Sequence, residues 1–225
     1  MITMSTKYLN KYQKCKKACF TILFLCAVLY GYSQQTFDTA NSEYDVLQER
    51  IKTKDTLIHY ITKHYECSQV LSGRIDYYYE ADKLILINHF YKQGSTNLWT
   101  SEDYFIIDDT LKIKTLITEE TIHLNTMYKE DYNGSSSIRV EKVIEVVEQR
   151  MFFDSNSTSV CFERKHAKNA LDWDAAYFNS LELKESNCIE DNEEILDKYK
   201  LLRKAEKNLK AGYSYREQQC IFYMW

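Results

Sequence analysis

Tyr77-Tyr-Tyr-Glu-Ala-Asp-Lys-Leu-Ile-Leu-Ile-Asn88 matches Tyr104-Phe-Ile-Ile-Asp-Asp-Thr-Leu-Lys-Ile-Lys-Thr115 without a gap. Both copies place aromatic and apolar strand formers first, an acidic polar turn second, and a Leu at the same offset on the return. A sequence that repeats a hairpin at short spacing is restricted to folds in which consecutive hairpins pair side by side, that is, an antiparallel meander. A third stretch, Met151-Phe-Phe-Asp-Ser-Asn-Ser-Thr-Ser-Val-Cys-Phe162, repeats the pattern in kind but not in register. Ile138 to Gln149 alternates through Ile138, Val140, Ile144 and Val146, which predicts a long strand leading into it.

Outside the repeats, helical spacing predominates. Tyr44, Leu47 and Ile51 recur at helical intervals and predict a helix over Ser42–Lys52, after a tail over Thr36–Asn41. Leu57, Ile58, Ile61 and Tyr65 extend the same period and predict a helix to about His64, although Ile58 to Tyr60 also alternates as a strand would. Lys165–Ser186 is polar and irregular. Glu190–Ala211 is the clearest helix: Ile195, Tyr199, Leu202 and Leu209 share a face, acidic residues crowd the start and Lys or Arg the end, and Gly212 follows as a stop. The apolar tail ending Cys-Ile-Phe-Tyr-Met-Trp predicts a docked edge strand or packed terminal segment. The fold class is therefore α+β, an antiparallel meander of Tyr-rich hairpins over about 72–165 with an N-terminal helix and a long C-terminal amphipathic helix over about 190–211.

Residues 1–33 carry Lys7, Lys11, Lys14, Lys16 and Lys17 and no acid, then an apolar run from Cys19 to Tyr30, then Gly31 and Ser33 at the −3 and −1 positions of a cleavage site. This order is that of a secretory signal peptide, cut before Gln34, leaving one domain over 34–225 and no stable membrane span. Leu25 before Cys26 does not fit a lipoprotein signal. Losing the five lysines takes the formal charge from −4 to −9. So acidic a body speaks against nucleic acid as a partner, because such binding rests on Lys and Arg displacing counterions. The expected location is periplasmic or extracellular.

With its signal, the chain sheds Cys15, Cys19 and Cys26 and keeps Cys67, Cys161, Cys188 and Cys220, an even set in an oxidising compartment. Four cysteines allow three pairings. A C-terminal helix of roughly 33 Å, followed by an extended tail of roughly 30 Å, would bring Cys220 back beside Cys188. That reach favours Cys188–Cys220, with Cys67–Cys161 as the second bridge.

The order of signal, early helix and spaced Tyr-Tyr-x-x-x-x-(Lys)-Leu hairpins, carried by Tyr77–Leu84, Tyr104–Leu111 and more loosely Arg150–Phe162, resembles a group of uncharacterised exported bacterial proteins. The resemblance covers about the middle half of the chain and implies export and a hairpin sheet. It brings no catalytic or binding residue with it.

Motifs for chemistry are few. With 5 Gly and no Pro, the chain has no G-x-G-x-x-G and no G-x-x-x-x-G-K-[ST] phosphate loop, and G-x-S-x-G is also missing. His59 and His64, followed by Glu66 and Cys67, have the wrong spacing for a zinc helix. Asp108-Asp109, Glu119-Glu120 and Asp172-Trp173-Asp174 lack the pattern of a calcium loop. No cofactor and no metal is expected. The positive signal is tyrosine, 19 in all. Tyr77, Tyr78, Tyr79 and Tyr104 would form an aromatic row on a half-exposed sheet, suited to stacking on a saccharide or holding a protein partner. The function expected is non-enzymatic binding to a protein or saccharide of the cell envelope. An assembly component using its C-terminal aromatic tail to extend a partner's sheet is the alternative, and a carboxylate-dependent hydrolase ranks below both.

Overall fold

A computed structural model describes residues 37–68, 71–93, 98–129, 136–154, 159–211 and Cys220. The chain divides into two compact units, residues 1–48 and 49–225. The described part of the first is helical. Helix α1 covers residues 37–52, running past the unit boundary, with Tyr44 and Leu47 buried along one side. It starts inside the stretch expected to be a tail.

The second unit is α+β. Eight antiparallel strands lie in one open sheet in chain order: β1 (Ile58–Ser68), β2 (Leu71–Glu80), β3 (Lys83–Gln93), β4 (Leu98–Ile107), β5 (Thr110–Lys129), β6 (Ser136–Phe153), β7 (Ser159–Asn169) and β8 (Lys184–Ser186). The two repeat copies are the hairpins β2–β3 and β4–β5, and they agree in detail. Each turns on two residues in the left-handed region, Ala81-Asp82 and Asp108-Asp109, as a tight hairpin between right-twisted strands requires. Each register then skips one residue at the same offset, after Tyr78 in the first hairpin and after Phe105 in the second. The looser third copy is the β6–β7 hairpin.

Residues 58–64 are strand, not helix. The helical period ends at Lys54, whose φ of 58° turns the chain. Arg50 then closes the corner on Asp55 at 2.7 Å and on Glu80. Beyond the corner the β-branched Ile58, Ile61 and Thr62 follow period two, and β1 pairs along its whole length with β2. The stretch expected to be irregular holds three elements: β7, a short helix α2 (Ala175–Ser180) capped by Asp174, and β8.

Helix α3 (Asn192–Lys210) is close to its expected extent. Asp191 caps it by accepting from Glu193 N at 2.8 Å, Glu193 and Glu194 occupy its first turn, and Lys207 and Lys210 its last. Its buried side, with Ile195, Leu202 and Ala205, packs on Tyr65, Ile75, Tyr77, Tyr79, Ile87, Tyr104, Ile106 and Met151. Burying each of the larger aliphatic side chains contributes about 1.5–3 kcal/mol. The opposite sheet face also holds buried residues at its centre, including Leu86, Phe105 and Ile113.

Cys67, Cys161, Cys188 and Cys220 are all bridged, but in a different pairing from the expected one: Cys67–Cys220 and Cys161–Cys188. The reach argument failed on direction. Cys188 lies two residues beyond Ser186, which pairs with Cys161 itself, so β8 delivers Cys188 to β7. From there α3 carries the chain across the sheet for ~28 Å. Glu190 meets Lys114 of β5, Lys198 meets Glu102 of β4, and Lys210 lies over the ring of Tyr79 on β2. Cys220 is therefore delivered to the β1 edge, where Cys67 stands. The tail expected to dock, Tyr213–Trp225, lies outside the described residues apart from Cys220, and so do residues 1–36 with the expected signal.

Candidate functional sites

The aromatic row does not lie open. Tyr77, Tyr79 and Tyr104 are 0–1 % exposed and form the core beneath α3. The two-residue period sends Tyr78 to the other face, half-buried beside Tyr60. Burial also pushes its hydroxyl up to about 12. Three of the four proposed contact residues are thus structural. Tyr77 donates to the carbonyl oxygen of Leu202 at 3.0 Å, and Tyr79 to Glu206 Oε1 at 3.0 Å. A tyrosine-rich sheet was expected to have one wet face; the hydroxyls instead find partners on the covering helix.

The same face gathers a polar cluster that the sequence reading missed. Glu102 and Lys114 are each 1 % exposed, and so is His89. His89 and Glu102 are register partners on β3 and β4, while Lys114 is the register partner of Tyr104. The Glu102 carboxylate accepts from His89 Nδ1, Tyr91 Oη and Tyr104 Oη, each at 3.2 Å, and from Lys198 Nζ at 2.7 Å. Lys114 Nζ stands 3.5 Å away and bonds Glu190 on its far side. Burial alone would raise the Glu102 carboxyl. The His89 hydrogen bond and the Lys198 and Lys114 charges outweigh it and hold that carboxyl far below the usual range.

Burial lowers the His89 imidazole, which is therefore neutral and carries one proton. That proton belongs on Nδ1, facing the ionised Glu102. Nε2 then accepts from Tyr65 Oη at 2.6 Å. Tyr65, His89 and Glu102 thus form a hydroxyl–imidazole–carboxylate chain resembling a nucleophile with its base and orienter. Tyr65 cannot act as one. Its ring lies over Gly73 and is 2 % exposed, and burial raises its hydroxyl well above the ordinary phenol range. The cluster ties β1, β3, β4, β5 and α3 together and presents no reacting atom to solvent. His59 and His64, the nearest approach to a metal pair in the sequence, sit on opposite faces of β1. His59 stacks on Tyr79, and His64 is in register with Arg74.

On the other sheet face, Glu148 accepts from Arg150 Nε and Arg164 Nε at 2.7 Å each. Arg164 also donates to the Asn179 carbonyl at 2.7 Å and lies over the Phe178 ring. This second buried ionic group holds α2 against β7.

What stands open is an arm. β4 pairs with β5 only as far as Glu120, and β7 pairs with β6 only as far back as Val143. Beyond those points Thr121–Lys129 and Ser136–Lys142 pair with each other and with no other strand among the described residues, the Lys142 carbonyl also accepting from Ala170 N at 2.8 Å. They form a two-stranded ribbon extending ~30 Å past the sheet. It carries apolar residues on both faces: Leu124 is 48 % and Val140 59 % exposed. Such a ribbon is marginal alone and leaves backbone donors and acceptors along each rim.

No protein family, characterised protein or solved structure matches the chain. Among the described residues, no helix is long and apolar enough to cross a membrane.

Proposed function

We propose that this chain is an exported binding component of the cell envelope, and that it engages a protein partner through the β5–β6 arm instead of a tyrosine face. The observation that carries this reading is the overrun of β5 and β6 past both neighbouring strands, with Leu124 and Val140 left in water. Tyr60, Ile61, Trp99 and Val160 are also exposed on the sheet, but on strands β1, β4 and β7, not on the overrunning ribbon. An unsupported ribbon with apolar exposure costs stability, and its open rims are the surfaces to which a partner strand adds. Export is supported by the basic, apolar and small-residue order of residues 1–33. The two disulfides are what an oxidising compartment permits.

The Glu102 cluster favours no catalytic reading, because each of its polar groups is engaged by another and its hydroxyl is sealed under α3. The test is site-specific photo-crosslinking in intact envelope. A photoreactive residue at Leu124 or Val140 is expected to capture a discrete protein band, and one at the exposed Leu57 by the α1–β1 corner is not. Equal labelling at all three sites, or none at the arm, would overturn the proposal. The exported protein is further expected to begin at Gln34 by mass spectrometry.

A further inference from the structure

We infer that the partner engaged by the arm presents a cationic side chain next to aliphatic ones, and that Glu120 and Glu145 at the base of the arm receive the cation. The inference rests on the arm being the contact element and adds the chemistry of what it contacts. Glu120 of β5 and Glu145 of β6 are register partners, so their side chains leave the same face of the sheet side by side. That face is the one α3 covers higher up, because even-numbered positions of β5 share the side of Lys114. The cover stops well short of the pair. Among the described residues, α3 and the stretch before it make their polar contacts with β5 and β6 at Lys114 and Gln149. From Lys114 to Glu120 is ~20 Å along β5.

Two carboxylates directly opposite each other across a strand pair repel. Neither Glu120 nor Glu145 has an ion-pair partner among the described residues. Lys165, the lysine of β7 on that face, stands opposite Val147, one row away, and makes no ion pair with Glu145 among the described residues. The residues around the two acids are aliphatic. Leu98 of β4 is opposite Glu120, the next row along the arm is Ile122 opposite Val143, and Leu124 follows. Glu120 and Leu124 are exposed, while Leu98, Ile122, Val143 and Glu145 are half-buried.

The arrangement selects the sign and the spacing of what docks. A cation set between the two carboxylates attracts both and offsets their repulsion, and apolar groups closing over it exclude water and strengthen the attraction. An anion there would face two like charges. Rows on one face lie ~7 Å apart. An extended partner with Lys or Arg at one position and aliphatic residues at the next two alternate positions therefore matches the acid row, the Ile122–Val143 row and Leu124 in turn. The opposite face of the arm base holds no acid pair: Thr121 is opposite Ile144 there, and His123 opposite Lys142.

The experiment is fluorescence anisotropy on the full exported protein, both bridges intact, with two labelled peptides. One is Thr-Lys-Thr-Val-Thr-Val-Thr with capped ends, and the other has Glu in place of Lys. The wild type is expected to bind the Lys peptide at least about tenfold more tightly than the Glu peptide, and less tightly as salt is raised. E120Q/E145Q is expected to bring the two peptides within about threefold of each other. A second readout needs no ligand: the same double variant is expected to unfold at an equal or higher urea midpoint, because a repulsion is removed. Equal or unmeasurable binding of the two peptides by the wild type, a preference indifferent to E120Q/E145Q, or a clearly lowered urea midpoint overturns the inference. Should arm crosslinks in the envelope capture a protein while the peptide preference is absent, the arm reading stands and the partner's chemistry is wrong. If neither occurs, both are wrong.

Discussion

Tyr77 and Leu202 are 125 residues apart in the chain, and the hydroxyl of the first lies 3.0 Å from the backbone carbonyl oxygen of the second. A strand residue thus bonds directly to the main chain of the helix above it, at a point where both residues are 0 % exposed. The Leu202 oxygen also belongs to the helical ladder, so it keeps a partner if the tyrosine is lost. Tyr77→Phe is accordingly expected to cost only about 0.5–1.5 kcal/mol, read as a lower urea midpoint with an unchanged slope. A loss above ~3 kcal/mol would mean that the hydroxyl does more than this one bond.

Glu102 is a different case, because its removal leaves several buried donors without an acceptor. In Glu102→Leu, Lys114 keeps Glu190 and Lys198 can turn towards water, but His89, Tyr91 and Tyr104 lose their common acceptor. The expected cost is roughly 3–5 kcal/mol, the range for breaking a buried ionic group by removing one member. A variant as stable as the wild type would show that the cluster does not hold α3 down.

Acid should act on the same cluster in two stages. His89 and Glu102 both titrate lower in the folded protein than their ordinary values of 6.5 and 4.5. The unfolded chain therefore binds more protons than the folded one within each interval, and stability falls as pH falls. Loss is expected first below about 6.5, from His89, and again below about 4.5, from Glu102. His89→Gln should flatten the first stage alone in urea titrations between pH 7.5 and 5. A wild type with constant stability from pH 7.5 to 4 would contradict the protonation states assigned here.

Gly73 is required where it stands. A Cβ at this position would lie 2.5 Å from Tyr65 Oη and 2.8 Å from the backbone oxygen of Phe90. The tyrosine could swing aside only by leaving His89, and the carbonyl is part of β3. Gly73→Ala is expected to cost about 1–3 kcal/mol, and Tyr65→Ala in the same chain should not recover it, because the Phe90 oxygen remains. Full recovery in the double variant would place the conflict wholly in the side chain.

The two bridges should differ in weight. They close separations of 153 and 27 residues, for which the chain-entropy relation gives about 5 and 3.5 kcal/mol. Opening Cys67–Cys220 by paired Ser substitution is expected to lower the unfolding midpoint more than opening Cys161–Cys188. Non-reducing peptide mapping should recover both pairs; a Cys188–Cys220 peptide would contradict the path of α3 across the sheet.

The parts of this fold that were readable from sequence are those with local causes. The twin hairpins follow from turn residues and β-formers within a dozen positions, and α3 from a periodic face with caps at each end. β1 was misread because Leu57, Ile58, Ile61 and Tyr65 satisfy a helical period as well as a strand, and only pairing with β2 decides between them. The disulfide pairing depends on which sheet edge each end of α3 reaches, a long-range fact that chain lengths do not contain. The Glu102 cluster left a fainter signal. In the hairpin alignment Glu102 and Lys114 share the inward parity of Tyr104, and an acid and a base at core positions call for one another. Tyrosine was misjudged for a related reason: its hydroxyl can be satisfied by water or by a helix, and composition does not say which.

The Cys67–Cys220 bridge also changes what a cut does to this molecule. It closes residues 67–220 into a ring, so a protease that severs the arm anywhere between Lys129 and Ser136 opens the ring without producing two separable pieces. The nicked protein would keep its mass apart from one added water and would migrate as a single band until thiol is added. The link between β5 and β6 can be broken while both halves remain tethered to the same core.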